Sequence, residues 1–289
     1  MKARKASWAL TLPLLVLLIS SAGFCAFGIG IHPNRIDTIV SYGETEIIEI
    51  GVTNPGDNPV QVDVSLMGLE MAEDGSLLWL GNDGTDAAGN IYPYSNISPH
   101  VTFEPASFTV EPHSEVAFLV QVRAPDTHQE EGMAGCVGAL WLDVTSASAD
   151  SEGTSPFNTV FRLVAFVLVQ FEGGQQRIAK LTPLPIYQDE QMDLHIPFLL
   201  SNLGNVHISL MGQVVIREAE SGQIVDSVEF TEGTALPQRP REYQGLWESS
   251  ALRQGDFIVE FTATYDTAAS NLTASISIAI NENLVVVQN

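Results

Sequence analysis

Phe157-Asn-Thr-Val-Phe-Arg-Leu-Val-Ala-Phe-Val-Leu-Val-Gln-Phe171 is an unusually long strand-like run, entered from a polar stretch and left through Gly173-Gly174. It is rich in β-branched and aromatic residues, and from Leu163 to Val169 both faces are apolar, which requires cover on two sides. Two readings follow from the residues. In one, the run is a central strand between packed sheets or at a domain junction. In the other, it is an edge that receives a strand from a partner.

Outward from this run, alternating apolar segments recur between turn signals, with almost no helical periodicity. Strands are expected near 29–39, 44–53, 60–66, 77–80, 101–110, 115–123, 136–144 and 157–171. Asn54-Pro-Gly-Asp-Asn-Pro59, Asp74-Gly75 and Pro112-His-Ser114 supply turns. Beyond Glu172-Gly-Gly-Gln-Gln176 a second set begins near Lys180 and continues at 194–200, 206–216, 224–230, 243–247, 257–265 and 272–280. The fold class is therefore all-β, with two immunoglobulin-like β-sandwich domains in tandem after a signal peptide. The expected bounds are 1–28 for the signal peptide, 29–175 for the first sandwich and 176–289 for the second. The stretches Gly81 to Pro99 and Thr145 to Pro156 fit no strand and are expected to be mobile loops.

The chain opens Met-Lys-Ala-Arg-Lys5, then runs apolar from Trp8 to Ile19 into small residues, the layout of a secretory signal peptide. Small residues at Ser20-Ser21-Ala22 and at Ala26-Phe27-Gly28 offer two cleavage sites. An uncleaved anchor is the alternative, because weakly apolar residues continue to Ile31. Bulky Phe24 before Cys25 disfavours lipid attachment. The expected location is extracytoplasmic, in the periplasm or at the cell surface, with a mature chain that does not span a membrane. Removing Lys2, Arg4 and Lys5 takes the net charge from −23 to −26 and leaves Lys180 as the only lysine. Nucleic acid is excluded as a partner, since phosphate binding needs clustered Lys and Arg.

Chemistry-bearing motifs are few. Two cysteines, Cys25 and Cys136, rule out a disulfide framework, and Cys136 has no flanking cation to activate it. The chain lacks a nucleophile elbow, a phosphate loop, a His-Glu-x-x-His pair and a Cys-x-x-Cys. Its histidines, at 32, 100, 113, 128, 195 and 207, lack metal-ligand spacing. Glu130-Glu131 and Asp189-Glu190 read as solvated carboxylates. Asn82-Asp-Gly-Thr-Asp86 clusters oxygen donors around a glycine but lacks the regular ligand spacing of a calcium loop. The expectation is no enzyme, no metal and no cofactor.

Pro33-Asn-Arg-Ile36, Val52-Thr-Asn54, Phe103-Glu-Pro105, Glu111-Pro112 and the long last strand resemble the N-terminal domain of PapD-like pilus chaperones, across about residues 29 to 171. Leu200-Ser-Asn-Leu-Gly-Asn-Val-His207 and Gln254-Gly-Asp-Phe257 look like the modules that follow such domains in bacterial surface proteins, including those that interact with wall proteins and peptidoglycan. In the chaperones a basic pair between the domains grips a subunit's terminal carboxylate, and the last strand of the first domain pairs with the subunit. The resemblance places Arg35 at the first basic position. The final strand has no lysine, and its nearest cation is Arg162.

The expected partner-binding residues are Arg35, Arg162, Val164, Phe166 and Leu168. Arg35 and Arg162 could clamp a carboxylate, or Arg35 could pair with Asp37. Strand addition needs no catalytic residue, so the function expected is to bind, stabilise or scaffold another exported or surface protein. The alternative is a structural or adhesive surface module that binds wall polymer or glycan near Trp79, Tyr92 and Tyr94.

Overall fold

A computed structural model of the protein describes residues 28–127, 134–146, 160–230, 233–265, 267–283 and 286–288. Residues 1–27, which fall in the stretch expected as a signal peptide, the polar stretch 147–156, the first residues 157–159 of the long run, His128 and Glu130-Glu131 lie outside them.

The first sandwich is built from β1 (Gly30–His32), β2 (Arg35–Val40), β3 (Thr45–Asn54), β4 (Val60–Met71), β5 (Leu77–Leu80), β6 (Asp83–Thr85), β7 (Ile91–Asn96), β8 (Val101–Glu104), β9 (Ser107–Val110), β10 (Ser114–Arg123), β11 (Gly135–Ser146) and β12 (Phe161–Phe171). One sheet runs β1-β3-β10-β8. The other runs β2-β12-β11-β4-β5, with β9 also on β4. Between them lies a core that includes Ile50, Phe118, Leu140, Leu142 and Phe171.

Two stretches expected as single strands are each split at a proline. The run 29–39 becomes β1, on β3 of one sheet, and β2, on β12 of the other, with Pro33 between them. The run 101–110 becomes β8, on β10, and β9, on β4, with Pro105 between them. Proline brings no N–H to a ladder, so the chain changes sheet there. The expectation of a loop at Gly81 to Pro99 is likewise corrected: β6 and β7 pair as a small hairpin. Its aspartates shape the turns. Asp83 Oδ1 accepts from Thr85 N, and Asp86 Oδ1 accepts from Ala88 N and Asn90 N. These are local Asx turns.

The second sandwich comprises β13 (Ala179–Pro183), β14 (Tyr187–Gln188), β15 (Leu194–Asn202), β16 (Ile208–Glu218), β17 (Ile224–Glu229), β18 (Gly233–Ala235), β19 (Pro240–Trp247), β20 (Gly255–Tyr265), β21 (Thr267–Ile280) and β22 (Val286–Gln288). One sheet joins β13, β15, β14 and β19; the other runs β17-β16-β20-β21-β22, with β18 on β16. Strands β14, β18 and β22 are too short to announce themselves by period. Phe198 centres the core, stacked on Tyr243 at 5.5 Å and edge-on to Phe230 and Phe261 at 4.8 and 5.3 Å.

Each sandwich closes a turn with a buried asparagine from the sequence motifs. Asn54 donates to the carbonyls of Asn58 and Val110 and accepts from Gly56 N. Asn202 donates to those of Val206, Ala235 and Leu236 and accepts from Gly204 N. A short amide side chain satisfies both sides of a tight turn that no apolar residue could hold.

Phe198→Ala should destabilise the second sandwich by about 3–5 kcal/mol, the usual cost of truncating a buried aromatic. The midpoint of its denaturant transition checks this.

Candidate partner-binding edge and the domain junction

β12 is eleven residues long and has two different halves. On one edge it pairs with β11 throughout, from Val144↔Phe161 to Gly135↔Gln170. On the other it meets β2 only from Phe166 to Phe171, in parallel. The β2 ladder begins where Phe166 N donates to Asn34 O at 3.0 Å, whereas Phe171 N donates to Ala134 O on the β11 side. Backbone groups alternate between the edges, so the N–H and C=O of Arg162 and Val164 point the same way as those of Phe166. No described strand meets them there.

The two faces of β12 also differ. Leu163, Ala165, Val167, Val169 and Phe171 face the core of the first sandwich. Phe166 and Leu168 face outward and pack with Leu69, Met71, Leu77, Val137 and Leu236, the last contributed by the second sandwich. This is why the run is apolar on both faces. From Phe166 on it is a covered strand at a domain junction; ahead of Phe166 it is an edge.

Of the expected site residues, Leu168 and Phe166 belong to the junction, and Arg162 and Val164 belong to the free edge. Arg162 Nε and Nη2 donate to Asp143 Oδ1 and Oδ2 at 2.6 and 2.8 Å. Its guanidinium also lies 3.9 Å from the Trp141 ring centroid, and Trp79 meets Trp141 edge-on at 5.2 Å. The hydrogen bonds from Arg162 hold the Asp143 carboxyl below its usual range. Arg35 stands opposite Phe166, four residues along β12 from Arg162, about 13 Å at the strand rise. It donates to Asp37 Oδ2 at 2.7 Å and to Thr234 Oγ1 at 3.1 Å. The structure therefore does not bring Arg35 and Arg162 together as one clamp. Each already holds a carboxylate of its own, and the pairing of Arg35 with Asp37 is the one that forms.

The junction contains residues that the sequence did not single out as a site. His207, 2% exposed, places Nε2 2.9 Å from Asp37 Oδ1 and 3.2 Å from the Gln170 amide nitrogen. Gln170 in turn accepts from Arg177 Nη2. Burial raises the Asp37 pKa, but the hydrogen bonds and charges of His207 and Arg35 outweigh it, lowering it to about 2.

Further along, Asn202 fixes the carbonyls of Ala235 and Leu236, so Leu236 is presented to the outer face of β12. Gln238 takes a left-handed φ of 59°, and its amide nitrogen donates to the carbonyls of Leu203 and Gly204. Next to it, Arg239 Nε donates to Oε2 of buried Glu70 at 2.8 Å, and Glu70 Oε1 accepts from Met71 N. Glu242 N donates to Glu73 O at 2.6 Å. Arg241 fits against two glycines, one on each sandwich. A Cβ at Gly233 would lie 2.7 Å from its Cζ, and one at Gly75 would lie 3.2 Å from its Nε.

Tyr92 and Tyr94 line a cleft of about 100 Å³ with Pro237 and Arg239, and Trp79 is not among its walls. Small-molecule sites usually enclose about 300 Å³ or more. Cys136 is buried, which pushes its thiol up to about 12 and leaves it unreactive. No described helix is long and apolar enough to cross a membrane.

No family model and no curated protein matches the chain. Solved structures do. The chain is similar to one from a chaperone–tip adhesin complex of CFA/I fimbriae, at 8% identity and a TM-score of 0.46, covering 86% of this chain and 98% of that one. It is similar to the YadV chaperone at 11% identity and a TM-score of 0.45, with the same coverage. A structure of the Salmonella enterica SafA pilin with the SafB chaperone matches at 10% identity and a TM-score of 0.39, covering 88% and 96%. At such identities these matches transfer no residue's role.

Two outcomes are expected at the junction. Arg239→Ala leaves the Glu70 carboxylate buried without its cation and should cost about 3 kcal/mol; Arg239→Ala with Glu70→Leu should recover most of it, as a double-mutant cycle in denaturant would show. Because the folded-state pKa of Asp37 is depressed from 3.8 to about 2, its contribution is present above about pH 4 and is lost as pH falls to about 2. Unfolding measured across that window should show the loss in the wild type and a smaller one in Asp37→Asn.

Proposed function

We propose that the protein is a non-enzymatic exported binding protein that stabilises or scaffolds another exported or surface protein by accepting one of its strands at the free edge of β12. The observation that carries this reading is the unmatched length of β12, which leaves the backbone of Arg162 and Val164 with no described strand beside it. Val160 and Phe161 next to it are 52% and 44% exposed. Chains ordinarily blunt such an edge, because it templates pairing with any extended segment. Here only Arg162 supplies a charge along it.

A segment laid along residues 161–165 would gain about four backbone hydrogen bonds from Arg162 and Val164, each worth about 0.5–1.5 kcal/mol net. That sum does not by itself offset the cost of association, so side-chain burial must supply the rest. Val164, together with Trp141 in the neighbouring strand, offers the apolar surface for it. Arg35, at the start of β2, marks where the open edge ends. The reading places the protein outside the cytoplasm, in the periplasm or at the cell surface. Wall polymer or glycan finds less support, since the tyrosines expected to bind it line only the small cleft.

Val164→Pro removes one edge N–H without touching the β11 ladder, so the fold should survive. Affinity capture of the tagged mature protein from its native envelope should then lose the exported proteins that the wild type retains. Unchanged capture by a folded Val164→Pro variant would overturn the proposal.

A further inference from the structure

Arg162 stands in a row of charges across the outer face of the sheet. Asp63 of β4 is opposite Asp143 of β11, and Asp143 is opposite Arg162 of β12. The next row reads Ser65, Trp141, Val164. Each row ends at the free edge, so an incoming strand would add one residue to each. Resting on the strand-docking reading, we infer that Arg162 selects the strand: the residue set beside it is glutamate, and the residue set beside Val164 is apolar.

Three observations carry this. First, Arg162 gives Asp143 two of its five N–H donors, through Nε and Nη2. The fork is thus fixed in place, and Nη1 has no acceptor among its described hydrogen bonds. Second, the guanidinium lies over Trp141, toward β11 and away from the edge. A carboxylate reaching it from the incoming strand needs the longer arm of glutamate rather than that of aspartate. Third, the two charges nearest the edge differ in what they still offer. Both Asp143 oxygens already accept from Arg162, whereas Arg162 keeps Nη1 for a further acceptor. A carboxylate finds a donor there, and a lysine meets a guanidinium that offers only donors. The −23 charge of the whole chain acts at longer range and favours basic residues at the ends of the segment, not at this position.

The test uses two synthetic eleven-residue peptides of alternating valine and threonine, with glutamate or lysine at the central position. Their binding to the full chain is followed by fluorescence anisotropy in low and in high salt. The wild type should prefer the glutamate peptide by about threefold or more, with the preference shrinking in high salt. Arg162→Glu should reverse the preference, and Arg162→Gln, which keeps the length and polarity of the side chain, should abolish it. Equal binding of the two peptides to the wild type, when both are lost in Val164→Pro, would overturn the selectivity and leave strand docking standing. Failure of the wild type to bind either peptide would overturn strand docking itself.

Discussion

An eleven-residue strand flanked on one side by a six-residue strand is, among the described residues, paired on that side over little more than half its length, and that mismatch between β12 and β2 organises the molecule. β2 is short because the chain changes sheet at Pro33, giving three residues to the β3 edge before it reaches β12. Each later feature has its place relative to that point. Ahead of it lie an open backbone edge, a cation and an aromatic surface. Behind it the same strand is the floor on which the second sandwich rests.

The junction holds this arrangement rigid through contacts of different kinds. Leu236 adds apolar burial against Leu168, Met71 and Val137. Arg239 with Glu70, and His207 with Asp37, add charge-assisted hydrogen bonds. Arg241 fits between glycines that leave it room. Glu70 is buried, so the Arg239 pair adds little net stability over an apolar contact but punishes misalignment, because a displaced Arg239 leaves the carboxylate without its cation. A junction built this way fixes an angle more than it adds to stability.

Much of this was legible in the sequence. The long strand was visible because its β-branched run is apolar at successive positions, and most of the strands around it followed from alternation between turns. Phe166–Phe171 form the covered strand at a junction that one reading expected, and no described strand lies beside Arg162 and Val164 on that edge. The positions of the sheet changes were not legible, because alternation continues across Pro33 and Pro105 while the partner strands change. The hairpin at 83–96 was hidden in a stretch whose Asp, Asn and Gly residues spell turns. The junction was the least visible part. Nothing local marks His207 as the partner of Asp37, or Arg239 as the partner of Glu70, since each pair is separated by more than 160 residues. Arg162 and Arg35 stand out in the sequence as cations, but periodicity carries no register, and only the ladder places them four residues apart.

Residue-resolved amide hydrogen exchange of the free protein tests the central claim most directly. The account predicts fast exchange at Arg162 and Val164, slow exchange at Leu163 and Ala165, whose N–H groups point to β11, and slow exchange at Phe166 and Leu168, which face β2. Protection at Arg162 and Val164 equal to that of their neighbours would mean that the edge is already occupied, and would contradict it.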